Sequence, residues 1–338
     1  MIANPAIEQM KREDMAELQL KKLKKQFQWA MERSAFYYRK FTDAGIALDA
    51  IQTLADIEKL PFTTIDELKE TTVYNLLTLP MSGMLRISKL GYNESFIKMY
   101  TNGDLAYQIE MMTRVMVAQG IHGAVVAGLL GEASDSRLMD IQYALENMGV
   151  TVILLGNNTE NIRELITTCH IDVLISDFKQ VMQLIVMLQA NNISADDLYL
   201  PKIICMEEML QNPNHIYIKQ RLKAEDTTVY NSPALGCGGI MFPCQENSSS
   251  FHIQEDYFYP EVVEYGTDKA ILEPHRAGEL VLTSLAAEAM PIFRYRTGQV
   301  VMRLDDPCPC GRTLMRLASP TAYAGVVWQA TPRVVAEP

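Results

Sequence analysis

At 338 residues, 48% hydrophobic and 21% charged, the chain has the composition of a globular protein with ample material for a buried core. A formal net charge of −11 and a pI near 5.0 remove any general electrostatic attraction to nucleic acid or to an anionic membrane surface. No apolar run reaches transmembrane length and MIANPAIEQMKRED lacks the apolar region of a secretion signal, so the cytoplasm is the expected location.

Residues 15–30 place Leu18, Leu20, Leu23 and Phe27 at helical spacing with lysines between them, which predicts an amphipathic helix. SAFYYRKFTDAGI continues as helix to Gly45, and Thr64 stands three residues before Glu67, the spacing of a capping box. Residues 1–75 therefore read as a helical prelude docked on a sheet domain. From 105 to 230 the pattern alternates: helix over 105–119, strand in AVVAGLL, helix in LMDIQYALENMG, strand in VTVILLG, helix in NTENIRELITT, strand in DVLIS, helix in FKQVMQLIVMLQA. Such alternation predicts an α/β, doubly wound, mainly parallel sheet over residues 76–235. Met111, Met112, Met116, Met182 and Met187 fit core filling, and His122 and His170 stand without acidic or cysteine companions in sequence.

Residues 236–318 predict an additional, smaller antiparallel β subdomain, with a tail over 319–338. GELVLTSL and residues 300–304 read as strands, with RYRTGQ as the connection between them. Six cysteines do not resemble a disulfide framework in a chain of this size and fit metal ligands or core positions better. Cys308 and Cys310 are separated by one residue, and Cys244 and His252 by seven. Three thiolates and an imidazole suit tetrahedral zinc, and four protein ligands would close the site, making it structural. The other reading is three buried thiols and a surface histidine.

GELV, LTSLAAEAMPIFRYRTG and CPCGRT, together with ERSAFYYRKFTDAGI, LADIEKLPFTTIDELKE and FHIQEDYFYPEVVE, resemble the large domain of phenylacetate-coenzyme A ligase-like adenylate-forming enzymes, a group that includes coenzyme F390 synthetase-like proteins. The resemblance extends from about Leu18 to Thr313, and the residues after Thr313 do not resemble the family's C-terminal lid domain. It implies an ATP- and magnesium-dependent synthesis of an acyl-adenylate, and then thioester formation with coenzyme A. It also implies site residues: Tyr230, Asn231 and Ser232 after the strand TTVY, Arg296, Thr297 and Gln299 in and after RYRT, and Glu207 beside the acyl pocket.

Three nucleotide-handling positions depart from the family. Its phosphate loop falls on Ser88 to Ser95, where Leu90, Asn93 and Glu94 replace glycines and a lysine, and a carboxylate there repels a triphosphate. Ala234 stands for the glutamate that serves magnesium, and Gln299 for the aspartate that receives the ribose hydroxyls. The expectation is a family member that is non-catalytic by itself and keeps a cleft for a small carboxylic acid or a nucleotide. The alternative is an active acid-coenzyme A ligase, with the lid supplied as a separate subunit. A homodimer is compatible with either, and neither calls for nucleic acid or membrane as a partner.

Overall fold

A computed structural model describes residues 1–91, 95–132, 135–156, 159–210 and 212–320. Residues 1–75 are largely helical. Helix Arg12–Arg33 buries Met15, Leu23, Phe27 and Ala30, and Ser34 then caps a second helix, Ala35–Asp43. Thr64 and Glu67 close the capping box of helix Ile65–Glu70. Phe27, Tyr37 and Phe41 meet Phe293 at ring-centroid distances of 6.4, 5.0 and 5.5 Å, so an aromatic cluster ties the prelude to the far end of the chain.

The strands are β1 (Arg86–Leu90), β2 (Phe96–Tyr100), β3 (Val126–Leu130), β4 (Thr151–Gly156), β5 (Val173–Ser176), β6 (Lys202–Glu207), β7 (Glu225–Ser232), β8 (Gly236–Cys244), β9 (Asn247–Ile253), β10 (Phe258–Val263), β11 (Ala277–Ser284), β12 (Tyr295–Leu304) and β13 (Arg316–Ala318). β1 and β2 form an antiparallel pair of their own. The other eleven form one ladder in the order β10-β11-β12-β13-β9-β8-β7-β6-β5-β3-β4. Its β4-β3-β5-β6-β7 half is parallel, and every pairing from β7–β8 onward is antiparallel.

The parallel half is covered on both faces, as a doubly wound sheet must be. Helices Asn102–Ala118 and Ser136–Asn147 pack Met112, Val115, Met116 and Ile141 against Ala127, Leu129, Val173 and Ile204. On the other face Ile162, Val181, Leu184 and Ile218, from helices Thr159–Cys169, Phe178–Ala190 and His215–Leu222, pack against Leu130, Leu174 and Ile203. Met111, Met112 and Met116 are fully buried core residues.

Two sequence expectations change. The predicted antiparallel region is continuous with the parallel sheet through β7–β8, a long-range pairing that composition does not reveal. RYRTGQ is not the connection between β11 and β12. From Tyr295 onward it is strand, and the connection lies at residues 285–294. The register shifts opposite Glu279/Val281, and Gly298 holds φ at 69°, a left-handed backbone that glycine adopts without strain.

Candidate functional site

The parallel register sets Glu207, at the end of β6, beside Tyr230 on β7. Tyr230 is buried with Thr297 and Ser232 beside its hydroxyl, and burial raises its pKa strongly. β7 and β12 thus meet at the carboxyl ends of the parallel strands, where open α/β sheets bind ligands. Gln299 joins them, but both ends of its amide are engaged. Its Oε1 accepts from Leu210 N at 3.1 Å and its Nε2 donates to Glu208 O at 3.4 Å.

The remaining residues implied by the resemblance are also bound internally. Arg296 pairs with Glu279 at 2.6 Å and Asp268 at 2.7 Å, with its guanidinium over Phe62. Asn231 is buried, and its Oδ1 accepts from Gly239 N at 2.9 Å, bridging β7 and β8. Thr297 donates to Leu280 O at 2.7 Å.

Of the phosphate-loop positions, Ser88 and Leu90 are part of β1, paired with Lys98 and Phe96, so this end is strand and not loop. Asn93 and Glu94 lie outside the described residues. Opposite Ser88, on β2, stands a residue that the motifs did not single out. Lys98 is only 4% exposed, and its ammonium donates to Ala234 O at 2.8 Å and Met290 O at 3.2 Å. In FIKMY a lysine looks like the solvent side of a strand. The adjoining cavity, lined by Lys98, Asp104, Gln108, Leu235, Tyr257 and Ser284 among others, holds about 30 Å³, space for roughly one water.

A second site lies in the antiparallel half. β9 carries His252 opposite Phe242 of β8, with Cys244 two residues further along β8. Cys308 and Cys310 sit in the turn before β13, which pairs with β9 at His252. One donor atom from each of the four lies within 4.8 Å of the others. Cys244 Sγ is 3.6 Å from Cys308 Sγ, and Cys310 Sγ is 3.4 Å from His252 Nε2. Zinc–sulfur bonds of ~2.3 Å in a tetrahedron would set sulfurs ~3.8 Å apart, so this donor set fits the ion.

The four residues are held from outside. His252 is fully buried, so it is not a surface histidine, and its Nδ1 has no hydrogen-bond partner. Arg312 and Glu8 form a buried ion pair that packs the N-terminal segment against the turn. Hydrogen bonds from Cys244 and His252 bring the Cys310 thiol down to about 2 against its burial, while Cys244 and Cys308 are raised.

A third cluster was not signalled by sequence spacing. His215, at the start of helix His215–Leu222, lies between Asp226 and Glu207, hydrogen-bonded to both and stacked on Phe178 at 5.3 Å. Burial works against its imidazolium, but the two carboxylates outweigh it and carry the pKa to about 9.

No protein-family model matches the chain. It is 27% identical over 321 residues to the phenylacetate-coenzyme A ligase of Thermus thermophilus, covering 94% of this chain and 72% of that protein. It is also 27% identical over 316 residues to the phenylacetate-coenzyme A ligase of Escherichia coli K12, covering 90% and 71%. Among solved structures, an open conformation of 2-hydroxyisobutyryl-CoA ligase in complex with 2-HIB-AMP and CoA matches with a TM-score of 0.83 at 17% identity, over 93% of this chain and 76% of that one. That likeness establishes the fold. Among the described residues, no helix is long and apolar enough to cross a membrane.

Proposed function

We propose, from the premise that this chain is a phenylacetate-coenzyme A ligase-like member of the adenylate-forming superfamily, that it does not form acyl-adenylates at a useful rate by itself. The observation that carries this reading is the buried contact between Lys98 and position 234. Ala234 offers no carboxylate, and its carbonyl instead receives the Lys98 ammonium at 2.8 Å. A magnesium ion held near position 234 would find no carboxylate there, only a carbonyl already engaged by Lys98 in a buried setting. Gln299 adds to the argument, since its amide already secures residues 208–210 and carries no charge for a ribose.

Adenylation needs the phosphates held in line and the departing pyrophosphate neutralised. Losing several charged contacts, each worth on the order of 2–4 kcal/mol in the transition state, removes many decades of rate. What this reading leaves to the chain is binding of a small carboxylic acid or nucleotide near the ends of β6, β7 and β12, where open α/β sheets bind ligands. Cys244, His252, Cys308 and Cys310 would hold a structural zinc ion that fastens β8, β9 and the turn before β13.

The test is pyrophosphate release and hydroxamate trapping with a broad panel of acids, ATP–magnesium and coenzyme A, beside an active family member. Absence of turnover with a thermal shift from an acid or AMP is the expected result. Turnover comparable to the control overturns the reading. Turnover only after a lid domain is added assigns the missing step to a partner.

A further inference from the structure

Cys205, Glu207, His215 and Asp226 have no role in the proposed function apart from Glu207 beside the acyl pocket. They come from three elements. Cys205 and Glu207 share one face of β6, as residues two apart in a strand do; Asp226 is near the start of β7; and His215 begins the helix between those strands. One donor atom each from Cys205, Glu207 and His215 lies within 4.8 Å of the others. His215 Nε2 is 3.4 Å from Glu207 Oε1, while Nδ1 is hydrogen-bonded to Asp226 Oδ2.

This is the layout of a carboxylate–histidine–metal arrangement, in which the outer carboxylate fixes the ring and its tautomer. The Phe178 ring, stacked at 5.3 Å, holds the imidazole plane from the side. Asp226 adds a buried carboxylate to the same cluster, next to the Cys205 thiol. Its side chain is only 10% exposed, and its other oxygen, Oδ1, has no hydrogen-bond partner. Two carboxylates and a buried thiol surround a single imidazole here.

We propose that Cys205, Glu207 and His215 form a second metal site, taking zinc or another late first-row divalent ion, with Asp226 positioning His215 and one coordination place open. Sulfur, nitrogen and oxygen donors together favour zinc and its neighbours over magnesium or calcium. Binding converts the Cys205 thiol to thiolate and leaves His215 Nε2 unprotonated toward the metal, with both protons released to solvent. Three protein ligands and an open place distinguish this site from the four-ligand cluster of the antiparallel half. Cys205 and Glu207 stand in the carboxyl half of β6, and a bound carboxylate or water would complete the coordination. The proposal reassigns Glu207 and does not depend on whether the chain adenylates.

The experiment uses the full chain, incubated with zinc, passed through a desalting column and assayed for metal. Wild type is expected to retain two equivalents. Cys205→Ser and His215→Gln should each retain one, and Asp226→Asn should weaken the second equivalent about 10-fold, as loss of an outer-shell carboxylate does. Cobalt(II) titration of wild type supplies a readout that needs no variant: the second equivalent should add its own visible bands and a single-thiolate charge-transfer band. A wild type that retains one equivalent and gives no spectral change with a second overturns the proposal. So does a second equivalent that survives both Cys205→Ser and His215→Gln.

Discussion

The Cys244–His252–Cys308–Cys310 cluster and the cleft between β6, β7 and β12 sit in one ladder but differ in what their polar groups do. In the cluster, three thiols and an imidazole face one another, and His252 Nδ1 is left without a partner. Around the ends of β7 and β12, Arg296, Asn231 and Gln299 are engaged with backbone or with internal carboxylates, as is Lys98 on β2. Four metal-ligand donors that converge on one point imply something to bind there. Donors fully engaged by the protein imply a structural role. The lesson is to ask of a matched motif residue what it touches, not only whether it is present.

Four experiments break or sharpen that contrast. Cys308→Ser attacks the facing donors and should carry the largest effect, losing the bound zinc and on the order of 5 kcal/mol or more of stability. Metal analysis and denaturant unfolding read it, and metal-free protein with an unchanged unfolding curve would remove zinc from the account.

Arg294 is an engaged cation of the other kind. It is buried, pairs with both oxygens of Glu261 at 2.9 and 3.1 Å, and donates to the carbonyls of Glu58 and Leu60. Arg294→Met should cost about 3–5 kcal/mol by stranding the Glu261 carboxylate. Adding Glu261→Met should recover much of the loss, and a double variant as unstable as the single would show that the guanidinium acts through the two carbonyls.

Asp140 tests a pair in which burial outweighs the partner's attraction. Burial raises its pKa from 3.8 to about 6 even though Arg86 opposes the shift. The folded state therefore holds this proton more tightly than the unfolded chain. The stability this confers is full below about pH 4 and is lost as pH rises through about 6, by up to about 3 kcal/mol. Unfolding curves across that window should show the fall, and Asp140→Asn should flatten it; an identical slope in the variant would assign the effect elsewhere.

Gln299→Asp gives the smallest expected change and speaks directly to the cleft. A carboxylate at 299 can still accept from Leu210 N, yet offers a charged acceptor to a ribose, and should raise AMP affinity about 10-fold. Calorimetry showing no gain would mean position 299 does not face the nucleotide.

Much of the fold was legible because helical periodicity is local. The helix expected in FKQVMQLIVMLQA is Phe178–Ala190, and the capping box at Thr64 and Glu67 forms as its spacing says. What was not legible depends on distant pairing. Arg, Thr and Gly in RYRTGQ have turn composition, but the bulge at Gly298 lets β12 run through them. Lys98 is a charged residue whose burial the sequence does not announce, and only the folded structure places Ala234 and Met290 over it. Cys205, His215 and Asp226 have no motif spacing; the crossover between β6 and β7 brings them together.

β13 is three residues long, yet it alone joins β12 to β9 in the ladder. Its partner Phe251 precedes Leu317 by a long stretch of chain that contains β10, β11 and β12. During synthesis the parallel half can form while the ribosome is still translating, but β9 must wait with an unpaired edge until residues past 318 emerge. Such an edge is a template for pairing with another chain. The apolar residues of β9, Phe251 and Ile253, are therefore where a stalled or truncated product of this gene would aggregate first.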